Sequence, residues 1–443
     1  FGGVKKGVRM GLAGRGGRRP RQWHRWANGR GSRWTLALIL MLHWSGVAQA
    51  QPDASGRRPT VVMISMDGTR PADLRPDRLP SLVALGAAGL RVDGLIPVNP
   101  SNTFPNHVSL ATGVRPEIHR LVNNSFQDPD RGRFSRADPQ AWVESEPIWS
   151  LAERHDIRAA VYFWVGSEGP WTGGPGPSEF REFSSRTLEK TKVNRILKWL
   201  SEPDPAKRPQ LIMAWFHGAD HAAHGHGPEA GEVGAALAPQ DRQIARLVRE
   251  MEERGLFETT TLIFVSDHGM TEAETLFDLG AAMRRAGVKA SVLGIGGFSS
   301  VMFKTEKARK SQVETALRVA RGAGLEAWPR NDAPADWHVG DVRFGDIVVR
   351  APIGTAIVTP SSHIKGYHGY DAQEAAMAGM LVARGRGVQP GSRIGRTSNL
   401  SVAPTILKLL GIPIPDQMKA PPIEEMLFGL GLESAAGSVK ETK

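Results

Sequence analysis

Several short segments of the chain are almost continuously apolar, and segments with helical spacing lie between them. The apolar runs include TVVMISM at 60–66, QLIMAWFH at 210–217 and TTLIFVS at 260–266. Runs of this kind are typical of parallel strands that are buried on both faces of a sheet. Amphipathic helices are predicted at 79–90 and 239–255, so strands and helices alternate. The pattern therefore predicts an α/β fold with βαβ units and a mostly parallel sheet.

The pattern changes over residues 291–362. Residues 299–330 have the periodicity of a strand, a helix and a second strand, and two short apolar runs follow them. We predict a small α+β insertion there, inside a core formed by residues 58–290 and 363–416. The C-terminal tail, residues 417–443, shows little periodicity and is expected to lie on the surface.

The formal net charge of +11 is concentrated at the start of the chain. Residues 1–50 contain ten Lys and Arg side chains and no Asp or Glu, so the rest of the chain is nearly neutral. This distribution argues against a stable nucleic-acid partner. The basic stretch, the apolar run WTLALILMLHW and the Ala48-x-Ala50 site together predict a signal peptide cleaved near Ala50. We therefore expect a periplasmic or secreted protein with no membrane span in the mature chain. An amphipathic N-terminal anchor is the alternative.

The chain contains no cysteine. Disulfides, thiolate metal sites and cysteine-based catalysis are therefore excluded. Any metal ion must be held by Asp, Glu or His.

Acidic residues stand at or soon after the ends of three predicted strands. They are Asp67, Asp220 and Asp267, and His224, His268 and His368 lie in the neighbouring motifs DHAAHGHGP, SDHGM and HGYD. The carboxyl ends of parallel strands meet at one edge of a sheet, so these side chains are expected to converge. Carboxylate and imidazole ligands suit zinc, and six of them suffice for two ions. Singly, each Asp also fits a turn or a helix N-cap, and HAAHGH fits a surface metal-binding tract.

The chain contains the ordered motifs MDGTRPADL, NPSNTFPNHVSLATGVRPEIHRLVNNSF, YFWVGSEG, DHAAHGHGP, SDHGM, HGYD and SVAPTILKLLGIPIP. This set resembles the nucleotide pyrophosphatase/phosphodiesterase branch of the alkaline phosphatase superfamily. The resemblance covers most of residues 60–416 in the same order, which makes it more specific than any one motif. It implies a doubly wound, alkaline phosphatase-like core and an enzyme with two zinc ions (Zn2+), which the predicted signal peptide would direct to export. Such an enzyme hydrolyses phosphodiester or pyrophosphate bonds in a small phosphodiester or nucleotide substrate.

The resemblance also implies roles for individual residues. Asp220, His224 and His368 are expected to hold one zinc ion. Asp67, Asp267 and His268 are expected to hold the other, with Thr103 bound to it as the nucleophile that forms a phosphothreonine. Thr103 is expected in a loop after a strand, fixed by its neighbouring asparagines and proline.

Substrate-binding residues follow from the same resemblance. Asn124 and the backbone amide of Phe104 are expected to hold phosphate oxygens, with Asn123 as an alternative register for Asn124. Phe104 and Phe183 are expected to form a slot for an aromatic leaving group, although packing would equally explain Phe183.

Two positions depart from the family pattern: Val165 replaces a usual proline, and Arg120 replaces a usual glycine. Both lie in predicted loops near the substrate, so they bear on the leaving-group preference and not on the metal chemistry. Six histidines near the motifs match no ligand position and are expected to be structural or exposed: His107, His119, His217, His221, His226 and His363.

Other functions remain open on the sequence alone. A phosphomonoesterase on the same scaffold would need an extra cation for the dianionic substrate, and Arg70 or Lys365 is a candidate. A sulfatase is disfavoured because no cysteine is present to form its aldehyde. A non-catalytic zinc- or ligand-binding protein is the third alternative, although all six ligands and Thr103 are present. The sequence does not predict an oligomeric state.

Overall fold

The computed structural model describes residues 58–359 and 364–430 of the chain. The predicted leader, residues 1–50, lies outside the described residues, as do His363 and residues 431–443. None of the helices in the described ranges has the length and apolar composition that a membrane crossing requires.

The described ranges contain seventeen strands and ten α-helices. Strands β1 to β17 comprise, in chain order, Thr60–Met66, Leu90–Ile96, Phe126–Asp128, Gly132–Phe134, Ala159–Tyr162, Glu179–Arg181, Leu211–Phe216, Thr260–Val265, Thr271–Phe277, Ala290–Leu293, Phe298–Phe303, Glu326–Pro329, Ile347–Arg350, Gly354–Ile357, Gly366–Tyr367, Leu381–Gly385 and Ser392–Ser398. Helices α1 to α10 comprise Pro80–Ala88, Thr103–Thr112, Pro116–His119, Ile148–Arg154, Glu189–Leu200, Asp220–His226, Gly231–Glu253, Leu279–Arg285, Glu306–Gly322 and Val402–Leu410.

The main sheet has eight strands in the order β17-β2-β16-β8-β1-β7-β5-β6. Strand β1 is parallel to β7 and β8, and β5 is parallel to β7 and β6. Strand β16 runs antiparallel to both of its neighbours, β8 and β2. The prediction of a mostly parallel sheet is therefore confirmed.

Both faces of this sheet are covered by helices. Side chains of β1 alternate between two apolar layers: Val61 and Met63 face one layer, and Val62 and Ile64 face the other. The first layer contains apolar residues of α2, α4 and α10, and the second contains those of α1, α5 and α7. A strand buried on both sides needs apolar residues at every position, which explains the continuous run at 60–66.

A second, antiparallel sheet has the order β10-β11-β13-β12. Helix α9 packs on it through Ala316, Leu317 and Ala320, and Leu279 of α8 belongs to the same apolar cluster. These elements match the strand and helix pattern predicted after residue 290. The division of the chain into core, insertion and tail stays a prediction.

The start of the tail differs from its expected surface position. Met418, Ile423 and Met426 are buried in the apolar layer that contains α10. Their irregular spacing reflects a non-helical path along the core, which a search for periodicity does not detect.

Arg343 connects the segment before β13 to the hairpin of β3 and β4. It is only 5% exposed, and its guanidinium donates hydrogen bonds to Asp128, to Glu144 and to the carbonyl of Arg120. Asp128 is also buried, so loss of the arginine would leave its carboxylate without this partner.

We expect Arg343→Ala to lower the free energy of unfolding by about 3 kcal/mol, because a buried charge loses its counter-charge. Urea-induced unfolding measures this change. Arg318→Ala, on the exposed face of α9, is the matched control and should change the value by about 0.5 kcal/mol or less. Equal effects of the two substitutions would contradict this role for Arg343.

Candidate active site

Three aspartates meet at the carboxyl edge of the main sheet. Asp67 follows β1 directly, Asp267 follows β8 after one residue, and Asp220 opens α6 shortly after β7. Because β8, β1 and β7 are adjacent parallel strands, the chain leaves all three at the same edge. The predicted convergence of these residues is a consequence of the strand order.

The predicted ligands form two neighbouring groups. Ligand atoms of Asp220, His224 and His368 lie within 4.8 Å of one another, and so do those of Asp67, Asp220 and His268. Asp267 adjoins the second group, with its Oδ2 3.2 Å from His268 Nε2. The rings of His268 and His368 stack with centroids 3.8 Å apart, so the two groups are in direct contact.

Backbone carbonyls fix the orientation of the three histidines. The Nδ1 atoms of His224, His268 and His368 lie 2.8, 2.9 and 3.0 Å from the carbonyl oxygens of Gly366, Gly269 and Ser101. A carbonyl only accepts hydrogen bonds, so each Nδ1 carries the proton and each Nε2 is left as a ligand atom. Carbonyl partners of this kind are typical of histidines that bind metal ions.

The three aspartate carboxylates have too few positively charged partners to balance their negative charge. Oδ1 of Asp67, Oδ1 of Asp220 and Oδ2 of Asp267 are buried and accept no well-aligned hydrogen bond within the described residues, although histidine Nε2 atoms lie 3.2–3.6 Å from them. Burial and the charges of Asp267 and Asp220 raise the pKa of Asp67 well above its usual value. Buried carboxylates with unpartnered oxygens, next to free imidazole nitrogens, are the donor set that a divalent cation such as zinc requires.

The other two aspartates are stabilised in their charged forms. Burial opposes ionisation of Asp220, but His224 and His368 outweigh it and lower the pKa. Burial likewise opposes ionisation of Asp267, yet His268 and His107 bring its pKa down to about 2. Both groups are therefore ionised at neutral pH, as metal ligands must be.

Thr103 is the first residue of helix α2, so the expectation of a loop position is wrong. Asn102 caps the helix with an extended backbone, and Pro105 fits the first helical turn because no amide hydrogen is needed there. The Thr103 Oγ1 lies 3.2 Å from His268 Nε2, beside the second ligand group. The start of a helix also favours the negative charge of a phosphate.

Asparagine side chains fix the segment around Thr103. The Nδ2 of Asn106 donates to the carbonyls of Pro100 and Asn102, and its Oδ1 accepts from the amide of Val98. Asn102 in turn donates to Asn123. These hydrogen bonds therefore fix the backbone that precedes and begins helix α2, and with it the position of the Thr103 hydroxyl.

The two expected phosphate-binding groups contact each other. The amide of Phe104 donates a hydrogen bond of 2.8 Å to Asn124 Oδ1. The amide is therefore already engaged, whereas the Nδ2 of Asn124 has no partner among the hydrogen bonds of the described residues. Asn123 is buried against Asn102, whereas Asn124 is half-buried, which favours Asn124 as the more accessible member of the pair.

Phe183 is 53% exposed and lies against Trp215, with ring centroids 5.1 Å apart. A cavity of about 610 Å³ is open beside these rings. The polar residues that line it include Asp67, Asp220, Lys192 and His217. Phe183 is therefore close enough to the aspartates to contact a substrate bound there. Phe104, the other predicted wall of a slot, packs edge-on against Phe134.

His107 has a supporting position that the sequence does not reveal. It is fully buried, and its Nδ1 lies 2.9 Å from the carbonyl of Thr103 and 3.3 Å from Asp267 Oδ2. Of the other histidines, His119 is buried beside Ser109, and burial lowers its pKa to about 3. His217 pairs with Glu189, and His221 and His226 are exposed.

The two departures from the family pattern have structural explanations. Arg120 adopts a left-handed backbone with φ of 70°, where glycine is favoured, and its guanidinium pairs with Asp341 and Glu144. Val165 is buried in an apolar cluster with Val108. Neither residue is a member of the two ligand groups.

The fold and the site define an alkaline phosphatase-like hydrolase. Residues 61–371 match the sequence model of the family described as type I phosphodiesterase / nucleotide pyrophosphatase. The chain belongs to this family, and the resemblance inferred from its motifs is confirmed.

Individual relatives agree with this assignment. A protein of Schizosaccharomyces pombe named as an uncharacterised pyrophosphatase/phosphodiesterase is 29% identical over 384 residues, which are 80% of this chain and 77% of the relative. Bovine bis(5'-adenosyl)-triphosphatase ENPP4 is 28% identical and covers 85% of this chain and 84% of its own. An inactive form of murine ENPP5 in complex with AMP has a TM-score of 0.74 at 22% identity, covering 81% of this chain and 96% of its own. This last similarity shows the shared fold.

We expect Asp67→Asn to have opposite effects with and without metal. In chelator-treated protein the substitution removes one of three repelling carboxylates and should raise the melting temperature by about 2–4 °C. With zinc added it removes a carboxylate that is expected to bind the ion, and should lower the melting temperature below that of the unmodified protein. Thermal unfolding followed by calorimetry measures both values.

Asp416→Asn, at an exposed position, is the control and should change neither value. A melting temperature that falls equally in both conditions would contradict the cation-requiring arrangement.

Proposed function

We propose that the protein is an exported phosphodiesterase or nucleotide pyrophosphatase that uses two zinc ions and a phosphothreonine intermediate on Thr103. The observation that carries this proposal is the position of the Thr103 hydroxyl, 3.2 Å from His268 Nε2, which itself lies 3.2 Å from Asp267 Oδ2 and 3.6 Å from Asp67 Oδ1. A hydroxyl needs such a neighbourhood to become a nucleophile.

The donor set fits two zinc ions. Asp220, His224 and His368 would hold the first. Asp67, Asp267 and His268 would hold the second, next to Thr103. Zinc ions would supply the positive charge that lowers the pKa of the hydroxyl and offsets the charge of the leaving oxygen.

The chain's own groups account for the remaining steps. The Thr103 Oγ1 loses its proton to solvent and forms a bond to phosphorus, while the bond from phosphorus to the leaving oxygen breaks and the leaving group departs as an anion or takes a proton from water. The start of α2 and the free Nδ2 of Asn124 stabilise the negative charge on the phosphate oxygens. The amide of Phe104 acts indirectly by holding Asn124 in place. Water then attacks the phosphothreonine, which releases a phosphate monoester and restores the hydroxyl.

The acidic partners of Arg70 favour a diester substrate over a monoester. Arg70 was a candidate partner for the extra oxygen of a monoester. It is 9% exposed, and its guanidinium is bound by Asp73, Glu229 and the carbonyl of Pro228. It is therefore unavailable to a substrate. Lys365 is exposed and remains the weaker candidate.

The substrate and the cellular location are proposed from further observations. The cavity beside Phe183 and the half-buried ring of Phe104 favour an aromatic leaving group or a nucleotide. The name of bovine ENPP4 describes hydrolysis of a dinucleoside triphosphate, and AMP is bound in murine ENPP5, which is consistent with such a ligand. Export is supported by the leader-like pattern of residues 1–50 and by the word ectonucleotide in the names of several relatives.

Thr103→Ala should retain zinc but lose turnover by about a thousandfold or more, because the six remaining ligands stay and the nucleophile is removed. Zinc content by atomic emission and nitrophenolate release measure the two properties. Thr103→Ser keeps a hydroxyl and should retain part of the activity. Full activity of the alanine variant would overturn the role of Thr103.

A comparison of bis(4-nitrophenyl) phosphate with 4-nitrophenyl phosphate tests the reaction class. We expect a higher kcat/KM for the diester, with both activities lost on chelation and restored by zinc. Equal or greater turnover of the monoester would favour the phosphomonoesterase. Absence of chelator-sensitive turnover on either compound would favour a non-catalytic binding protein.

A further inference from the structure

Arg136 lies just after strand β4, at the approach to the proposed nucleophile. Its guanidinium carbon is 5.7 Å from the centre of the Phe104 ring, and Phe104 follows Thr103 directly. Phe104 is held in this place by the hydrogen bond that its backbone amide donates to Asn124 Oδ1 and by contact with the ring of Phe134. The guanidinium of Arg136 therefore lies near Phe104, whose amide contacts Asn124.

Arg136 is free to bind a ligand. Within residues 58–359 and 364–430, its side chain has no carboxylate within 4.0 Å and makes no hydrogen bond, and the residue is exposed. Arg70, Arg120 and Arg343 are all held by acidic partners. The backbone of Arg136 has φ of 71°, a region that residues other than glycine seldom adopt. Such conformations are often kept where a side chain must face a ligand.

The chemistry of a guanidinium selects the group that it would bind. It is always charged, and its planar donors match the oxygens of a phosphate in a two-point contact. The scissile phosphate already has Asn124, the start of α2 and the two ligand groups. A further cation at the approach therefore suits a second anionic group in the substrate.

We propose that Arg136 binds a second phosphate group, joined to the scissile phosphorus through a bridging oxygen, and so favours pyrophosphate-bearing nucleotides over simple diesters. This inference rests on the proposed function of the site. In the alternative arrangement the guanidinium stacks on a nucleobase that lies between it and the Phe104 ring. The substrates of the test distinguish binding of a second phosphate from stacking on a base.

The test compares Arg136→Ala and Arg136→Lys with the unmodified full chain in the presence of zinc. The substrates are ATP, the 4-nitrophenyl ester of thymidine 5′-monophosphate, and bis(4-nitrophenyl) phosphate. Only ATP carries a second phosphate, and the thymidine ester carries a base without one. Arg133→Ala is the matched control, because Arg133 is an exposed arginine in the same hairpin.

We expect Arg136→Ala to lower the ratio of kcat/KM for ATP to kcat/KM for bis(4-nitrophenyl) phosphate about 10- to 100-fold, as expected for loss of a charge-assisted contact. Arg136→Lys should give an intermediate ratio, and Arg133→Ala should leave the ratio unchanged. Added salt should reduce the preference for ATP in the unmodified protein and have little effect in the alanine variant.

Three results would overturn the proposal. They are an unchanged ratio, an equal loss for ATP and the thymidine ester, and hydrolysis of the diester without hydrolysis of ATP. A binding titration gives an answer that does not depend on turnover: in the Thr103→Ala background, ADP should bind more tightly than AMP, and Arg136→Ala should remove the difference. If this result is obtained without turnover of any substrate by the unmodified protein, the proposed function fails and the role of Arg136 stands.

Discussion

The carboxylates of Asp67, Asp220 and Asp267 repel one another at a buried edge of the main sheet, and this repulsion constrains everything around them. At an effective dielectric constant near 20, two such charges separated by less than 5 Å interact by about 3–4 kcal/mol. The order β8-β1-β7 forces this proximity, because each strand delivers its aspartate to the same edge. Only a compensating positive charge makes the arrangement favourable in the ionised state.

The surroundings of the aspartates follow from that requirement. Backbone carbonyls hold His224, His268 and His368 with Nε2 free, and the asparagines of the SNTFPNH segment hold Thr103 beside them. Rigid support is important here because a nucleophile must be held in a precise position relative to the atom that it attacks. Phe183 and Arg136 are exposed near these groups, and we propose that they select among substrates.

Much of this could be predicted from the sequence, and the reason is visible at β1. Its apolar run predicts a strand buried on both faces, and Asp67 directly after it predicts a carboxylate at the edge of the sheet. Strands β9 and β17 carry alternating polar residues and gave no comparable signal. The contact of Phe104 with Asn124, the place of His107 behind Asp267 and the free guanidinium of Arg136 depend on distances between segments. No local pattern records such distances. The position of Thr103 after a strand predicts a loop, whereas the structure begins helix α2 there, and the first turn of a helix accepts Pro105.

Anomalous X-ray scattering at the zinc absorption edge, from crystals of the zinc-loaded protein, tests the central claim most directly. The account predicts two peaks, one bounded by Asp220, His224 and His368, and one bounded by Asp67, Asp267 and His268 within bonding distance of the Thr103 hydroxyl. A single peak, or a second peak remote from Thr103, would contradict it.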